Sequence, residues 1–379
     1  DLRRMTESDW SALLAEADAV VNCAGALQES PQDSMRAVHL GLAEALAQAC
    51  RQAGVRRVVH ISAAGLETGD DPFRRAKREA EQALGAADLD WVILRPGLVM
   101  APAAFGGGAL LRGLAAFPFV VPTVAADAIV QTVSVDDVAE AVVRSLTVIP
   151  ARFVCDLVSA EQSRLGDILQ AIRAWLGLPP APLLVLPRWT GSLTAAAADA
   201  LAWLGWRSPM RTAAIRQLAS GVAGRAEDSP ERLGFTPRPL AETLAAWPSG
   251  VQERWFARLY FVKPLVLATL AGFWAASGVI GLVQHDAAAA LLTGAGLSPA
   301  TADALVVGGG ALDLVLSGLV CFRPTARLGL QAMILVTLAY LAGASLWLPA
   351  LWSDPLGPLV KSVPAAILAL AALAMMDER

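Results

Sequence analysis

The sequence has few charged side chains for its length. Charged residues make up 17% of its 379 residues, whereas soluble domains usually carry about 25%. Part of the chain is therefore expected to face something other than water. The net charge of −4 and the lack of a long basic run argue against a nucleic-acid-binding protein.

Cysteine and tyrosine are also scarce. The four scattered cysteines form no Cys-x-x-Cys pair and no disulfide framework, which is typical of a protein in a reducing cytoplasm. We predict no metal site. The two tyrosines, Tyr260 and Tyr340, both lie at or within the apolar C-terminal segments. No tyrosine is thus present in the first 258 residues to act as a catalytic acid or base.

The charge deficit is concentrated at the C-terminal end. Only five Lys/Arg and six Asp/Glu lie between residues 259 and 379. Four apolar segments there are each about 20 residues long, enough for a helix to cross a bilayer core of about 30 Å. We predict four transmembrane helices, which cover residues 264–283, 304–322, 328–351 and 356–376.

The placement of basic residues predicts an orientation. Three basic residues precede the first apolar segment and two arginines lie between the second and third, whereas residues 285–303 contain no lysine or arginine. Because cytoplasmic loops carry the excess of Lys and Arg, we predict a multi-pass protein of the cytoplasmic (inner) membrane. Both termini and the N-terminal region would then lie in the cytoplasm.

Two charged residues fall inside the apolar segments. A carboxylate at mid-span, as predicted for Asp313, is costly unless it is protonated, paired or facing a polar cavity. The preceding Gly308–Gly310 would let another helix approach closely. Lys361 is the only charge in the fourth segment, and two interpretations stay open. It pairs with Asp313, or it extends to the membrane surface.

The N-terminal region alternates short apolar runs with helical patterns. The runs predict strands and the patterns predict helices; strands are expected at 19–22, 57–61 and 91–94, and helices at 34–53 and 73–84. Continuous rather than alternating hydrophobicity in the strands indicates a parallel sheet covered on both faces. Such sheets bind ligands at the carboxyl ends of their strands, where Asn22, Ser62 and Arg95 fall.

These strand ends carry a family resemblance. Asn22-Cys-Ala-Gly25, then Ser62, Lys77, Leu94-Arg-Pro-Gly97 and Val135-Asp-Asp-Val-Ala139 resemble an atypical short-chain dehydrogenase/reductase of the NAD-dependent epimerase/dehydratase superfamily. The resemblance covers about residues 1–248. It is strongest to the NmrA-like type and to the NADPH-binding accessory subunit of respiratory complex I. The C-terminal part resembles the four-helix DoxX-like membrane family.

The resemblance implies a Rossmann-like fold, NAD or NADP as cofactor, and roles for individual residues. Ser62 and Lys77 occupy catalytic positions. The positions that lie against the cofactor in the family are Asn22, Ala24, Gly25, Ser62, Lys77, Arg95, Pro96 and Gly97. For Lys77, hydrogen bonds to the nicotinamide ribose are expected; the competing interpretation is an ordinary solvated helix lysine, since arginines surround it.

The sequence departs from the family at its catalytic tyrosine. Phe73 stands at that position, and a phenyl ring has no exchangeable proton with which to act on a substrate carbonyl or alcohol. The usual family mechanism is therefore not expected. Ser62, His60 or a bound water are the candidates to replace it, although His60 inside a strand is more typical of a packed residue.

A second departure concerns the phosphate-binding turn. The family holds the cofactor diphosphate on a Gly-rich turn after its first strand, and no such turn precedes Asn22. Gly106–Gly108 lies in the wrong context and is expected to form a flexible substrate-side loop. Asp1-Leu2-Arg3 resembles the Asp-Leu that follows the family's third strand, where the Asp approaches the adenine. We therefore expect that the first strands are missing and that this chain binds NAD(P) weakly or not at all; micromolar binding would contradict this.

The middle of the chain is less distinctive. A helix is expected at 162–176, residues 181–206 are either a membrane-surface element or the core of a substrate domain, and residues 233–237 resemble a closing strand and turn. Residues 251–263 are expected to form an amphipathic lead-in to the membrane. The predicted organisation is a Rossmann-like domain at 1–160, a cap region and linker at 161–250, and a DoxX-like domain at 251–379.

The predicted function is that of a membrane-anchored NAD(P)-binding oxidoreductase that acts on a quinone or another lipid-soluble molecule. The alternative is a non-catalytic nucleotide-binding, redox-sensing or assembly subunit of a membrane complex. The substrate, the choice between NADH and NADPH and the oligomeric state are left open.

Overall fold

The structure is a computed structural model, and it describes residues 5–26, 34–147, 150–206, 210, 212, 219–355 and 357–377. The segment Asp1-Leu2-Arg3, compared above with a strand end, lies outside these residues. The chain divides into two compact units. Unit 1 comprises Asp1–Trp203 and Arg207–Arg258, and unit 2 comprises Leu204–Trp206 and Leu259–Arg379.

Unit 1 is built on a parallel sheet. Its strands are β1 Ala19–Asn22, β2 Arg57–Ile61, β3 Asp90–Pro96, β4 Leu98–Met100, β5 Val121–Thr123, β6 Ile129–Val130, β7 Thr132–Ser134, β8 Phe153–Leu157, β9 Ser163–Arg164 and β10 Leu183–Val185. The main sheet has the order β1-β2-β3-β8, and all of its pairs are parallel. The predicted Rossmann-like parallel sheet is confirmed.

The three strands predicted from the sequence are all present, with one change at β3. This strand continues through Arg95 and Pro96, which pair with Asp156 and Leu157 of β8, so the prediction that it breaks at Arg95 is wrong. The proline is tolerated because β2 pairs only as far as Leu94. Pro96 therefore has one neighbouring strand rather than two and need not donate a ladder hydrogen bond to β2.

Helices flank the sheet of unit 1. They are α1 Glu7–Leu14, α2 Leu42–Ala53, α3 Pro72–Gly85, α4 Gly106–Ala115, α5 Val135–Thr147, α6 Leu165–Trp175, α7 Arg188–Trp203, α8 Asp228–Leu233 and α9 Leu240–Ala245, with a π-helix at Ala37–Gly41 and a 3₁₀-helix at Leu66–Thr68. The helix predicted at 34–53 is therefore a π-turn followed by α2. It ends at Gly54, whose φ of 77° is the left-handed conformation that favours glycine.

Two loop predictions are wrong. Gly106–Gly108 forms the first turn of α4, because the helix gains stability from the buried Leu110 and Leu111 that follow the glycines. The expected closing strand at 233–237 is instead the end of α8, which stops at Gly234 with φ 70°. The expected helix at 162–176 is shorter, since Ser163 and Arg164 pair with β6 before α6 begins.

Unit 2 is helical and apolar. Its helices are α10 Val251–Val283, which begins in unit 1, then α11 His285–Gly294, α12 Pro299–Cys321, α13 Ala326–Trp347 and α14 Pro358–Ala374, with a 3₁₀-helix at Pro349–Trp352. Three of them, α10, α12 and α13, are long and apolar enough to cross a membrane.

The remaining helices differ from the predicted spans. The fourth predicted span, 356–376, contains a helix of only 17 residues, at the lower limit of the roughly 17–25 residues of a crossing helix. The lead-in 251–263 and the first span form one continuous helix of 33 residues that runs through Pro264. Helix α11 is not among the predicted elements, because it lies in the segment 285–303, interpreted above as a loop without lysine or arginine.

Candidate functional site

The carboxyl ends of β1 and β2 bring two predicted site residues together. Asn22 pairs with His60 in the sheet register, and its Nδ2 lies 3.1 Å from His60 Nδ1. Asn22 Oδ1 accepts from the backbone N–H of Ala24 at 3.1 Å, which fixes the amide orientation. Asn22 therefore donates to His60 Nδ1, and the single proton of a neutral His60 lies on Nε2.

His60 is neutral because of its surroundings. Burial, and to a smaller extent the like charges of the nearby Lys77 and His39, lower its pKa from 6.5 to about 3. Its Nε2 atom has no hydrogen-bond partner among the described residues. A side chain with so low a pKa is a poor base, so the structure favours the interpretation of His60 as a packed residue that accepts from Asn22.

Ser62 lies just beyond the end of β2. Its backbone N–H donates to Leu94 O at 2.7 Å, and its side chain is buried. The Ser62 hydroxyl has no partner within the described part of the chain. Since an unsatisfied buried polar group costs about 1–3 kcal/mol, such an atom at a strand end is a candidate ligand contact.

Lys77 projects from α3 towards the same strand end. Its side chain is 5% exposed, and its Nζ donates to Ile61 O at 2.9 Å. Burial lowers its pKa from 10.5 to about 8, opposed by the carboxylate of Glu81. The interpretation of Lys77 as a solvated helix lysine is wrong. Among the described residues Lys77 Nζ has this one acceptor, which leaves two of its three ammonium donors for a ligand.

Phe73 occupies an apolar cluster one helical turn before Lys77. It packs with Met35, Ala76 and Ala63, and it makes a T-shaped contact with His39, with ring centroids 5.8 Å apart and an angle of 84° between the ring planes. Ala63 follows Ser62 directly, so the phenyl ring lies beside the strand end. No hydroxyl group takes the place of the tyrosine hydroxyl within this cluster.

His39 is a further neighbour of this strand end, and none of the sequence motifs indicates it. It is buried, its Nε2 lies 2.7 Å from Ala26 O, and burial lowers its pKa. A side chain added at Gly25 would meet His39 Cε1 at 3.4 Å and Lys77 Nζ at 3.8 Å. Its spacing in the sequence could have indicated that it is buried, because His39 lies three and seven residues before the buried Leu42 and Leu46, on the same helical face.

The structure gives the other predicted residues packing roles. Arg95 donates from Nε to Glu81 Oε1 at 2.9 Å and from Nη2 to Oε2 at 2.5 Å. Pro96 O accepts from Ala64 N–H at 2.8 Å. A Cβ at Gly97 would overlap Gln131 O. Asn22, Ser62 and Lys77 thus converge on one strand end, while Arg95–Gly97 are held by other protein groups.

A separate polar cluster lies among the apolar helices of unit 2. The buried Asp313 accepts from Ser277 Oγ at 2.7 Å and from Tyr340 OH at 2.9 Å. The Trp274 ring stacks on the Tyr340 ring, with the ring centroids 6.4 Å apart. Among the described residues Asp313 has no ion pair with Lys361, which is exposed. The pairing interpretation is therefore wrong, because two hydroxyl groups already satisfy the carboxylate.

The glycine prediction near Asp313 is confirmed for Gly310. A Cβ added at Gly278 on α10 would lie 2.7 Å from Gly310 O, which is too close for any side chain. The two helix backbones therefore approach each other directly at this point. Gly308, by contrast, faces open space.

Comparison with known proteins identifies both parts of the chain. A family described as NAD(P)H-binding matches residues 1–148, and the DoxX-like family matches residues 271–370. No curated protein matches the chain. MoeE5, solved with UDP-glucose and NAD, is 20% identical with a TM-score of 0.50, over 68% of this chain and 84% of that one.

A second solved structure is similar to the same degree. The Citrobacter sp. triphenylmethane reductase, solved with NADP(H), is 18% identical with a TM-score of 0.50, over 65% of this chain and 81% of that one. At such identities the likeness shows the fold alone. Together with the family matches, it shows that the chain joins an N-terminal NAD(P)H-binding domain of Rossmann-like fold to a C-terminal DoxX-like domain.

Proposed function

We propose that this protein is a membrane-anchored oxidoreductase that uses NAD(P)H to reduce a lipid-soluble acceptor of the quinone class. The observation that carries the proposal is the buried Ser62 hydroxyl without a partner in the described residues, beside the buried Lys77 ammonium group. Both lie at the carboxyl end of a parallel sheet, where folds of this kind bind their ligands. Asn22 and Gly25 border the same place.

The residues present fit the nicotinamide half of a dinucleotide. Lys77 keeps donors beyond the one given to Ile61, and these would bind the ribose hydroxyl groups. Gly25 carries no side chain, so a ligand could approach Lys77 and His39 closely. The Ser62 hydroxyl would donate to an oxygen of the ligand. When bound, the dinucleotide supplies a hydride.

The proton for the reduction must come from a group other than the tyrosine that the family uses. Reduction of a quinone by a hydride also consumes one proton, and Phe73 cannot provide it. Lys77 is protonated at pH 7, and its pKa of about 8 lies close to the working range of a general acid. We assign Lys77 the role of holding that proton, with Ser62 placing the acceptor oxygen.

The lipid-soluble class of acceptor follows from the second domain. Three helices of unit 2 are long and apolar enough to cross a bilayer, and a molecule dissolved in the membrane would reach them without passing through water. We further propose that α14 is a short fourth crossing, so that unit 1 and both termini lie in the cytoplasm, as the distribution of Lys and Arg predicts. Reporter fusions at the C-terminus would test this orientation.

A second candidate function has its own support. Phe73 packs with the apolar Met35 and Ala76 and stands in place of the family's acid–base tyrosine. This favours a non-catalytic subunit that binds the nucleotide to sense redox state or to support assembly of a membrane complex. Both candidate functions use the same nucleotide site, but only the oxidoreductase would turn over NAD(P)H.

Membranes that contain the full chain discriminate between them. NAD(P)H oxidation would be followed by absorbance with and without an added short-chain quinone, in the wild type, in Lys77→Ala and in Arg75→Ala. Arg75 is the matched control, because it is an exposed cation on the same helix. Quinone-dependent oxidation that only Lys77→Ala abolishes supports the enzyme.

Nucleotide binding without quinone-dependent oxidation would instead support the non-catalytic subunit. Titrations should extend to millimolar NADH and NADPH, because the sequence predicts weak binding. A chain that binds neither nucleotide at these concentrations would contradict both candidates.

A further inference from the structure

Helix α7, which directly precedes the unit 2 segment Leu204–Trp206, has apolar residues on two opposite faces. On one face of α7, Gly191, Ala195 and Ala198 are buried, and a side chain at Gly191 would meet Val124 Cγ1 at 3.1 Å. This contact fixes the rotation of α7 on unit 1. The opposite face must therefore point away from the core of unit 1.

That outward face is apolar from end to end. We call it the α7 face and define it by five exposed residues at helical spacings of four and three: Trp189, Leu193, Ala196, Ala200 and Trp203. Trp189 is 66% exposed, Leu193 65% and Trp203 78%. Soluble proteins rarely expose continuous apolar surface on this scale without a partner.

Charged groups are kept away from this surface. The charged residues of α7 are Arg188 at its first position and Asp199, whose carboxylate accepts from Thr212 Oγ1 at 2.6 Å. Just before the helix, Leu184 and Val185 are also exposed. The α7 face therefore has no charged side chain that could pair with an oppositely charged partner. It also has no side-chain hydrogen-bond acceptors for a polar partner.

Chain connectivity places one end of this helix near the membrane surface. Trp203 is bonded to Leu204, the first residue of a segment that belongs to unit 2. Leu204 O accepts from Arg323 N–H at 2.9 Å, and Trp206 Nε1 donates to Cys321 O at 2.7 Å. Cys321 is the last residue of α12, one of the membrane-length helices.

The occupant with matching chemistry is the bilayer interface. Tryptophan prefers the headgroup level, where its apolar ring is covered and its N–H stays hydrated, and the α7 face has a tryptophan at each end. A helix that lies in the interface plane buries one apolar side in the boundary between headgroups and acyl chains. The buried side of α7 already belongs to unit 1, so the exposed side is free to enter the lipid.

We propose that α7 is an interfacial membrane helix that inserts its outward face into the cytoplasmic leaflet. It would hold unit 1 at the bilayer in addition to the covalent connections at Trp203 and Arg258. The proposal rests on the membrane anchoring in the proposed function and not on catalysis. It resolves the two interpretations of residues 181–206 in favour of a membrane-surface element for the outward face.

Spin labels on the full chain in lipid nanodiscs test the proposal. In a Cys23→Ser/Cys321→Ser background, labels would be placed by Leu193→Cys and Ala200→Cys on the α7 face. Glu44→Cys, an exposed site on α2, is the aqueous control. Val315→Cys, an exposed apolar site within α12, is the lipid control. Power saturation would be measured with oxygen, which partitions into lipid, and with a water-soluble nickel chelate.

The expected result is high oxygen and low nickel accessibility at 193 and 200, as at 315, and the reverse at 44. High nickel accessibility at 193 and 200 would overturn the proposal, since the face would then be in water. Low accessibility to both reagents would also overturn it and point to a covering protein or a second copy. If Val315→Cys itself reports water, the membrane anchoring fails as well, which separates that failure from a failure of α7 alone.

Discussion

The two units satisfy buried polar groups in different ways. In unit 1, the buried Ser62 hydroxyl and His60 Nε2 have no partner among the described residues. In unit 2, the buried Asp313 has a hydroxyl donor on each carboxylate oxygen. A buried polar atom without a partner is costly, so the strand end of unit 1 is suited to a ligand. The polar centre of unit 2 is already complete and is suited to holding helices together.

The units also differ in how their backbones meet. In unit 1, Gly97 lies against the Gln131 carbonyl where β3 passes the neighbouring chain segment. In unit 2, Gly278 and Gly310 bring two long helices into contact. The close approach at Gly97 shapes a loop beside the candidate site. The contact between Gly278 and Gly310 sets the distance between two apolar helices, whose packing few other contacts determine.

The largest expected effect tests whether the strand end of unit 1 binds a ligand. Lys77→Met should weaken NAD(P)H binding about 10- to 100-fold, because a hydrogen bond to a charged group contributes about 1.5–3 kcal/mol. Because the wild type is itself expected to bind weakly, calorimetric titration of the full chain in detergent should extend to millimolar nucleotide, and a variant that shows no binding there is scored as weakened at least to that limit. Arg75→Met, on the exposed side of the same helix, should bind as the wild type does; equal binding in all three proteins would remove Lys77 from the site.

The next effect tests the close helix contact of unit 2. Gly278→Ala should destabilise the chain by about 1–3 kcal/mol, the usual cost of forcing extra atoms into a packed position, because the new methyl group meets Gly310 O and Leu314 Cγ. Denaturation in detergent micelles measures the loss. Gly281→Ala is the matched control on the same helix, since its Cβ meets nothing within 4 Å. Equal stability of the two variants would show that the contact is loose.

Much of unit 1 could be predicted from its sequence because local and global signals agree there. The strands at 19–22, 57–61 and 91–94 combine continuous hydrophobicity with the Asn, Ser and Arg residues that mark their ends. The Gly106–Gly108 turn was mispredicted for the opposite reason. Glycine disfavours helix locally, and only the burial of Leu110 and Leu111 against the rest of unit 1 outweighs that preference.

The candidate site shows a similar limit. Motif order indicated Asn22, Ser62 and Lys77, but no local pattern could show that Arg95 is occupied by Glu81, fourteen residues away on α3. Nor could it pair Asp313 with Ser277 and Tyr340, which come from two other helices. Charge alone suggested Lys361, because the hydroxyl groups of serine and tyrosine carry no signal in a charge count.

A third effect uses pH to separate Lys77 from the rest of unit 1. Its pKa of about 8 in the folded chain lies below the ordinary 10.5, so between these values the unfolded chain binds more protons than the folded one. Stability should therefore rise with pH across about 8 to 10.5 for this group. Denaturant unfolding of wild type and Lys77→Met across this range should show a gain in the wild type that the variant lacks. Parallel curves would mean that Lys77 titrates as it does in the unfolded chain.

The smallest effect tests the completeness of the polar centre in unit 2. Asp313→Asn keeps one acceptor oxygen for Ser277 or Tyr340, so the loss in stability should be near the average of about 0.6 kcal/mol found for hydrogen bonds between membrane helices. Lys361→Met should change nothing, because Lys361 has no ion pair with Asp313 among the described residues. Denaturation of both single variants and of the double variant measures the coupling between the two positions. Additive effects are expected, whereas a coupling energy above the error of the measurement would restore the charge pair and make the centre of unit 2 ionic.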